Sequence, residues 1–167
     1  KLALTEWDYG GADQPSGGVA AADHLGILGR YDAAACYWGD NKPYLEAAFK
    51  LYLNYDGKGS KFGDFSVFAE ADDASKGSAH AARDSKDPTR MTVVLISKDP
   101  RKPQQAKLTL PPAAGEMATI RAWRFDAGSP RIQEVAKAPA PAPDGFSDML
   151  PPLSATLYEL RFGPPSP

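Results

Sequence analysis

A carboxylate at position 6 stands at the end of a short apolar segment, just before an aromatic, glycine-rich turn. Leu2, Leu4 and Glu6 alternate with a period of two, so they would share one face of an extended strand. An apolar interior face would then point Glu6 into the cavity beyond the strand. In parallel barrels the carboxyl ends of the strands carry the chemistry, and the following loops form the rim of the site. The structural alternative is a strand-end Glu that forms a salt bridge with a neighbouring loop.

Several short stretches share their residue order and composition with one known family. They are TEWDYGG (5–11), ADHLGILGR (22–30), the pair Tyr37-Trp38, AAF (47–49) and NYDGKGSKFGD (54–64). Together they resemble the C-terminal part of glycoside hydrolase family 44 endoglucanases. The resemblance is close up to Asp64 and follows only the strand pattern beyond it.

The resemblance implies a retaining β-1,4-glucanase, a cellulase, in which a (β/α)₈ TIM barrel is joined to a β-sandwich. The nucleophile of the family is the Glu of a Thr-Glu-aromatic motif at the end of the seventh strand, which corresponds to Glu6. A retaining enzyme needs two carboxyl groups about 5 Å apart. In the family the acid/base residue lies on the fourth strand, which would precede Lys1. The chain would therefore hold half of a catalytic pair.

Three further residues are candidates for substrate binding. Asp8 stands where the family usually has Asn; it could share the cavity with Glu6, although an acid in such a turn more often bonds backbone amides. Trp38 follows the next apolar strand and corresponds to a tryptophan platform for a sugar ring, with core packing as the alternative. The Tyr9 hydroxyl could reach either sugar or backbone. Trp7 alternates away from Glu6, which favours packing.

The sequence predicts two architectures in one chain. Residues 1–64 alternate between strand and helix patterns, whereas 65–167 carry strand patterns only. We therefore expect the C-terminal part of a TIM-barrel domain over 1–64 and an antiparallel β-sandwich over 65–167, an α/β plus all-β fold. A complete barrel needs about 250 residues, and only two strand–helix units fit here. These would be the seventh and eighth, with the other six supplied by a missing N-terminal polypeptide of the same enzyme.

Apolar periodicity predicts two helices with a buried strand between them. Val19 to Leu28 present a broad apolar surface, and Gly29 is placed to end the first helix. Residues 33–38, which include Cys36, form a continuous apolar run typical of a parallel strand. A second helix is expected to begin near Pro43 and to end at a glycine-rich turn.

Short strands separated by turn signals follow from Phe65 onwards. They are expected at 66–70, 78–83, 91–97, 106–110, 119–125, 131–135 and 154–162. In the last of them Tyr158, Leu160 and Phe162 alternate with Glu159 and Arg161, the pattern of a half-buried sandwich strand. The proline-rich stretch 138–143 is expected to be a surface loop.

Composition and spacing argue against several other classes of protein. The net charge is −2 with both signs interspersed, so nucleic acid is not an expected partner. No apolar run approaches the roughly 20 residues of a membrane span, so a membrane is not expected either. His24 and His80 have no second ligand at metal spacing, and residues 54–60 lack the terminal Glu of a calcium loop. We therefore expect no cofactor and no metal in this chain, while a structural calcium elsewhere in the full protein stays open.

These observations predict an endoglucanase that binds β-glucan polysaccharide, with xyloglucan or xylan as further substrates, and that is secreted because its substrate is a polymer. Two alternatives stay open. One is a carbohydrate-binding or structural β-sandwich module, which would need a row of exposed aromatic residues; the strands after Phe65 supply only Trp123 as a tryptophan. The other is a related barrel glycosidase, such as an arabinofuranosidase or xylosidase.

Overall fold

The computed structural model describes residues 2–35, 42–111 and 115–163. Its helices are α1 (Pro15–Arg30) and α2 (Pro43–Leu53). Its strands are β1 (Ala3–Leu4), β2 (Ala34–Ala35), β3 (Phe65–Val67), β4 (Gly77–Arg83), β5 (Arg90–Ser97), β6 (Gln104–Thr109), β7 (Met117–Asp126), β8 (Ser129–Glu134), β9 (Gly145–Leu150) and β10 (Ser154–Phe162).

The chain begins with a strand–helix–strand unit. β1 and β2 pair in parallel, with Ala3 opposite Ala34 and Leu4 opposite Ala35, and α1 connects them. The predicted alternation of strand and helix is therefore confirmed. Of the strand expected at 33–38, residues 34 and 35 are in strand conformation, while 36–38 lie outside the described residues. A complete barrel remains a prediction, because this is the only parallel pair within the described ranges.

Both helices begin with a proline, which suits the first helical position because its missing N–H would have no partner there. The prediction that Gly29 ends α1 is wrong, since the helix continues to Arg30. The backbone N–H of Tyr31 then bonds to the carbonyl oxygens of Ile27 and Leu28, both at 3.2 Å. Ile27, expected on the apolar surface, is 43% exposed.

An antiparallel sheet with the strand order β3-β4-β5-β10-β7-β8 forms the middle layer of the fold. β10 lies between β5 and β7, and its alternation follows the prediction. Tyr158, Leu160 and Phe162 are buried on one face, whereas Glu159 and Arg161 are only partly buried. The seven predicted strands correspond to observed ones, although β3 ends at Val67 instead of residue 70.

The two helices pack against one face of this sheet. Ala22 and Leu51 are fully buried there, in a cluster that also contains Val94, Trp123 and Leu157 from the sheet. This contact places α1 and α2 directly on the strands that follow them in the chain. The domain boundary predicted between residues 64 and 65 stays a prediction. One apolar cluster contains residues from both sides of it.

β6 and β9 form a two-stranded antiparallel sheet that covers the opposite face. Phe146 and Leu150 of β9 are buried, and the Phe146 ring lies 4.7 Å from the Tyr158 ring. The two sheets therefore pack face to face, as in a sandwich, with one sheet much smaller than the other. β9 was missed by the sequence analysis, whereas residues 138–141 lack regular structure, as expected for the proline-rich loop.

Candidate active site

Glu6 lies two residues beyond the carboxyl end of β1. Its side chain is exposed, and Leu2 and Leu4 are 72% and 37% exposed. Within the described ranges β1 pairs with β2 alone. The expectation that these leucines form an apolar interior face of a barrel stays a prediction.

Asp8 occupies a turn that its own side chain stabilises. Its Oδ1 accepts a hydrogen bond from the Gly10 N–H at 2.7 Å. Gly10 and Gly11 have φ angles of 69° and 60°, a conformation that glycine adopts without the steric penalty of a Cβ. Asp8 therefore bonds a backbone amide, which is the role that an acid in such a turn was expected to have more often. The turn directs the chain into α1, with the Gln14 N–H bonded to the Gly11 carbonyl at 2.8 Å.

Trp7 packs against both helices. It is 8% exposed, and its ring lies 4.5 Å from the His24 ring of α1 and 6.1 Å from the Phe49 ring of α2. The prediction that Trp7 is a packing residue is confirmed. This anchor fixes the segment that follows β1, because a buried indole contributes a large apolar contact area.

Tyr9 contacts a side chain that was not considered from sequence. Its hydroxyl hydrogen-bonds the Nδ1 atom of His24, and its ring is 54% exposed and 5.4 Å from the Trp7 ring. Burial, and secondly the charge of Asp23, raise the pKa of Tyr9 above its usual value. Burial lowers the pKa of His24 despite the opposing charge of Asp23. Both side chains are therefore neutral near pH 7.

Sequence reasoning considered His24 only as a metal ligand and missed this contact. The two residues are 15 positions apart, on a loop and on a helix, and no helical or strand spacing rule links them. Only a weak signal in the sequence indicated the Tyr9–His24 contact. Tyr9 lies in a turn that leads directly into the helix that carries His24, so the two residues could be expected near one another.

Trp38 lies outside the described residues. The carboxyl ends of the paired parallel strands β1 and β2 meet at one edge of their sheet. Glu6 follows one of these strand ends and Trp38 follows the other.

The chain was compared with known proteins. No family model matches it. Endoglucanase A of Paenibacillus lautus is 39% identical over 166 residues, which cover 96% of this chain and 23% of that protein. A family 44 xyloglucanase from Paenibacillus polymyxa superposes with a TM-score of 0.90 at 39% identity, over 98% of this chain and 32% of the other. A family 44 endoglucanase from Clostridium thermocellum gives a TM-score of 0.91 at 37% identity, over 96% and 32%. The resemblance to glycoside hydrolase family 44 is confirmed.

The likeness to family 44 extends over both the helical layer and the sheets, because nearly the whole chain superposes. The chain spans about a third or less of the length of these relatives. This agrees with the prediction that the resemblance concerns one portion of a longer family 44 protein.

The glycine-rich segment 54–60 is a helix-ending turn. The Asp56 carboxylate accepts hydrogen bonds from Lys58 N–H at 2.8 Å and from the Ser60 hydroxyl at 2.7 Å, and Asn54 Oδ1 accepts one from Gly59 N–H at 2.6 Å. These oxygens are used by the loop itself. Within residues 2–35, 42–111 and 115–163, no group of three or more His, Cys, Asp or Glu side chains could hold a metal ion.

Trp123 borders a groove of about 650 Å³ between α2 and β8. Its indole is only 4% exposed, because the Tyr55 ring lies 4.6 Å away on one side and the Arg121 guanidinium 4.7 Å from the ring on another. Trp123 is thus a packing residue. The described helices are too short or too polar for a membrane span.

Proposed function

We propose that this chain is the C-terminal portion of a retaining endo-β-1,4-glucanase and that Glu6 is its nucleophile. The observation that carries the proposal is the position of Glu6 just after β1, a strand paired in parallel with β2. In barrel enzymes the catalytic residues stand at the carboxyl ends of such strands. The TEWDYGG motif and the similarity to family 44 endoglucanases support the same assignment.

The exposed leucines of β1 support the claim that this chain is one portion of a larger barrel enzyme. Leu2 and Leu4 are exposed on a strand that pairs with β2 alone in the described ranges. Apolar side chains exposed together on a strand favour a covering partner. The remaining strands of the barrel, supplied by the N-terminal polypeptide of the same enzyme, would cover them and enclose Glu6.

The proposed reaction is a double displacement. The ionised Glu6 carboxylate attacks the anomeric carbon, and a carboxylic acid from the N-terminal polypeptide protonates the departing glycosidic oxygen. The resulting glycosyl ester on Glu6 is then hydrolysed by water that the second group, now a carboxylate, deprotonates. Tyr9 and Asp8 border Glu6 in sequence and would contact the sugar, and Trp38 would stack against it.

The substrate class is β-1,4-glucan. One relative is a family 44 xyloglucanase, which supports xyloglucan as a further substrate, and xylan remains part of the proposal. Polymeric substrates of this size are degraded outside the cell, so the enzyme would be secreted. No cofactor enters the proposed reaction, because two carboxyl groups suffice for it.

The two rival functions make different demands on the fold. A carbohydrate-binding module built on the sandwich would require exposed aromatic platforms, and the Trp123 indole is covered by Tyr55 and Arg121. A related barrel glycosidase, such as an arabinofuranosidase or xylosidase, would share the layout and release single sugars. The length distribution of the products separates that enzyme from an endoglucanase.

The test is the Glu6→Gln variant of the full-length protein, assayed on soluble cellulose derivatives and on xyloglucan. We expect kcat to fall by about a thousandfold or more, because the nucleophile takes part directly in the reaction. Glu116→Gln, at an exposed glutamate before β7, is the matched control and should keep parental activity. Hydrolysis by Glu6→Gln within a few-fold of the parent would refute the nucleophile assignment. Inverted anomeric products would refute the retaining mechanism.

A further inference from the structure

His24 uses one ring nitrogen and buries the other without a partner. Nδ1 hydrogen-bonds the Tyr9 hydroxyl, whereas Nε2 is buried and has no hydrogen-bond partner among the residues that the structure describes. The ring itself is fixed by contact with Trp7, at 4.5 Å between ring centroids. The two nitrogens of a neutral imidazole differ, because one donates and the other accepts.

This asymmetry decides where the proton lies. A proton on Nε2 would create a buried N–H donor without an acceptor, a situation that folded proteins rarely tolerate. A proton on Nδ1 leaves only an unused lone pair at Nε2. Burial also lowers the pKa of His24, which disfavours protonation of both nitrogens. The favoured form is the neutral Nδ1–H tautomer.

In this tautomer Nδ1–H donates to the phenolic oxygen of Tyr9, and the Tyr9 hydroxyl proton is free for another acceptor. Burial raises the pKa of Tyr9, so the phenol keeps that proton near neutral pH. The Tyr9 side chain is 54% exposed and follows Glu6 by three residues. An exposed hydroxyl donor thus follows the proposed nucleophile by three residues along the chain.

We propose that His24 is a positioning residue, which fixes the Tyr9 phenol by donation from Nδ1 and thereby makes its O–H a dedicated donor to an oxygen of the glucan bound at Glu6. This inference rests on the proposed function for the identity of the acceptor. The geometry of the His24–Tyr9 pair does not depend on it.

The helix that carries His24 is fastened to the sheet at the preceding residue. The Asp23 carboxylate accepts a hydrogen bond from His80 Nε2 at 2.8 Å and pairs with Lys98 Nζ at 2.9 Å. At Gly26 the helix backbone approaches the His80 ring so closely that an added Cβ would lie 2.2 Å from Cγ. The sheet therefore sets the position of His24, and His24 sets that of Tyr9.

The first test is nuclear magnetic resonance of the full-length protein labelled with ¹⁵N in its histidines, with His24 assigned by comparison with His24→Asn. We expect the ¹⁵N shifts of a neutral Nδ1–H tautomer near pH 7. A neutral Nε2–H tautomer or an imidazolium at that pH would overturn the proposal. This measurement does not require activity.

The second test is kinetic. We expect Tyr9→Phe and His24→Ala each to lower kcat/KM by about tenfold, the worth of one hydrogen bond, and the double variant to be no worse than either single one. His24→Asn should recover most of the loss, because its amide N–H can donate from nearly the same place. Tyr31→Phe, at a 72% exposed tyrosine, is the control and should behave as the parent.

The outcomes separate the two proposals. Parental kcat/KM in His24→Ala, or losses that add fully in the double variant, would overturn the role of His24. An Nδ1–H tautomer together with an unimpaired Glu6→Gln enzyme would refute the nucleophile and leave the His24–Tyr9 pairing intact.

Discussion

His80 Nε2 of β4 lies 2.8 Å from Asp23 Oδ1 of α1 and joins the helical layer to the sheet. His80 is 5% exposed, so the hydrogen bond is shielded from water. Lys98 adds a second contact from the end of β5, with Nζ 2.9 Å from Asp23 Oδ2. A carboxylate held by donors from β4 and from the end of β5 therefore fixes the position of α1, the helix that also supports the loop after β1.

The close approach of α1 to His80 predicts that alanine substitutions at two glycines of this helix will change the stability in opposite directions. A Cβ at Gly26 would lie 2.2 Å from His80 Cγ, whereas a Cβ at Gly29 has no atom within 4 Å. Gly26→Ala should destabilise the protein by about 1–3 kcal/mol through overpacking. Gly29→Ala should stabilise it by up to about 1 kcal/mol through helix propensity. Urea unfolding of both purified variants checks this, and equal free energies of unfolding would contradict the packing seen at Gly26.

The decrease of the free energy of unfolding at acid pH should depend on Asp23. Burial acts to raise the pKa of Asp23, but hydrogen bonds from His80, Lys98 and Ser78 outweigh it and hold the pKa well below its usual value. A group whose pKa is lower in the folded state stabilises the fold above its unfolded pKa, near 4, and loses that contribution as the pH falls further.

Asp23→Asn should therefore cost about 1.5–3 kcal/mol near pH 7, the worth of hydrogen bonds to a charged group. The gap between variant and parent should narrow steadily below about pH 4, because the Asp23 carboxylate of the unfolded parent, with its higher pKa, takes up a proton there before the folded one does. Urea unfolding at several pH values between 7 and 2 measures this gap. A gap that stays constant over that range would show that the Asp23 charge does not stabilise the docking of α1.

Most of the fold was predictable because its elements carry strong local patterns. Tyr158, Leu160 and Phe162 alternate with Glu159 and Arg161, and this period of two is what a strand with one buried face requires. The pairing of β1 with β2 also followed from apolar runs on either side of a helical pattern. β9 was missed because it comes directly after a proline-rich loop and carries polar residues such as Asp148 within it.

The candidate site was predictable only in its sequence-local part. The Asp8 turn and the packing of Trp7 depend on neighbouring residues or on alternation along one strand, and both were expected. The Tyr9–His24 contact depends on how a loop folds back onto a helix, which no periodicity encodes. The exposure of Leu2 and Leu4 could not be predicted, because strand alternation gives the face on which a side chain stands and not what packs against that face.

The last prediction concerns the attachment of β9, which depends on one partly buried acid. Asp148 Oδ2 accepts hydrogen bonds from Tyr158 O–H at 2.6 Å and from Arg124 Nη2 at 2.9 Å. Asp148→Ala should cost about 3–5 kcal/mol, because it leaves a largely buried Arg124 without its counter-charge.

Glu134→Ala removes the partner of an exposed arginine, Arg121, and is the matched control. Both side chains of that pair are at least half exposed, at 56% and 50%, so its loss should cost about 0–1 kcal/mol. Urea unfolding of the two variants, with hydrogen exchange at β9 as a local readout, distinguishes the cases. Similar costs for Asp148→Ala and Glu134→Ala would mean that β9 is held by the apolar contacts of Phe146 and Leu150 instead of by the partly buried Arg124–Asp148 pair.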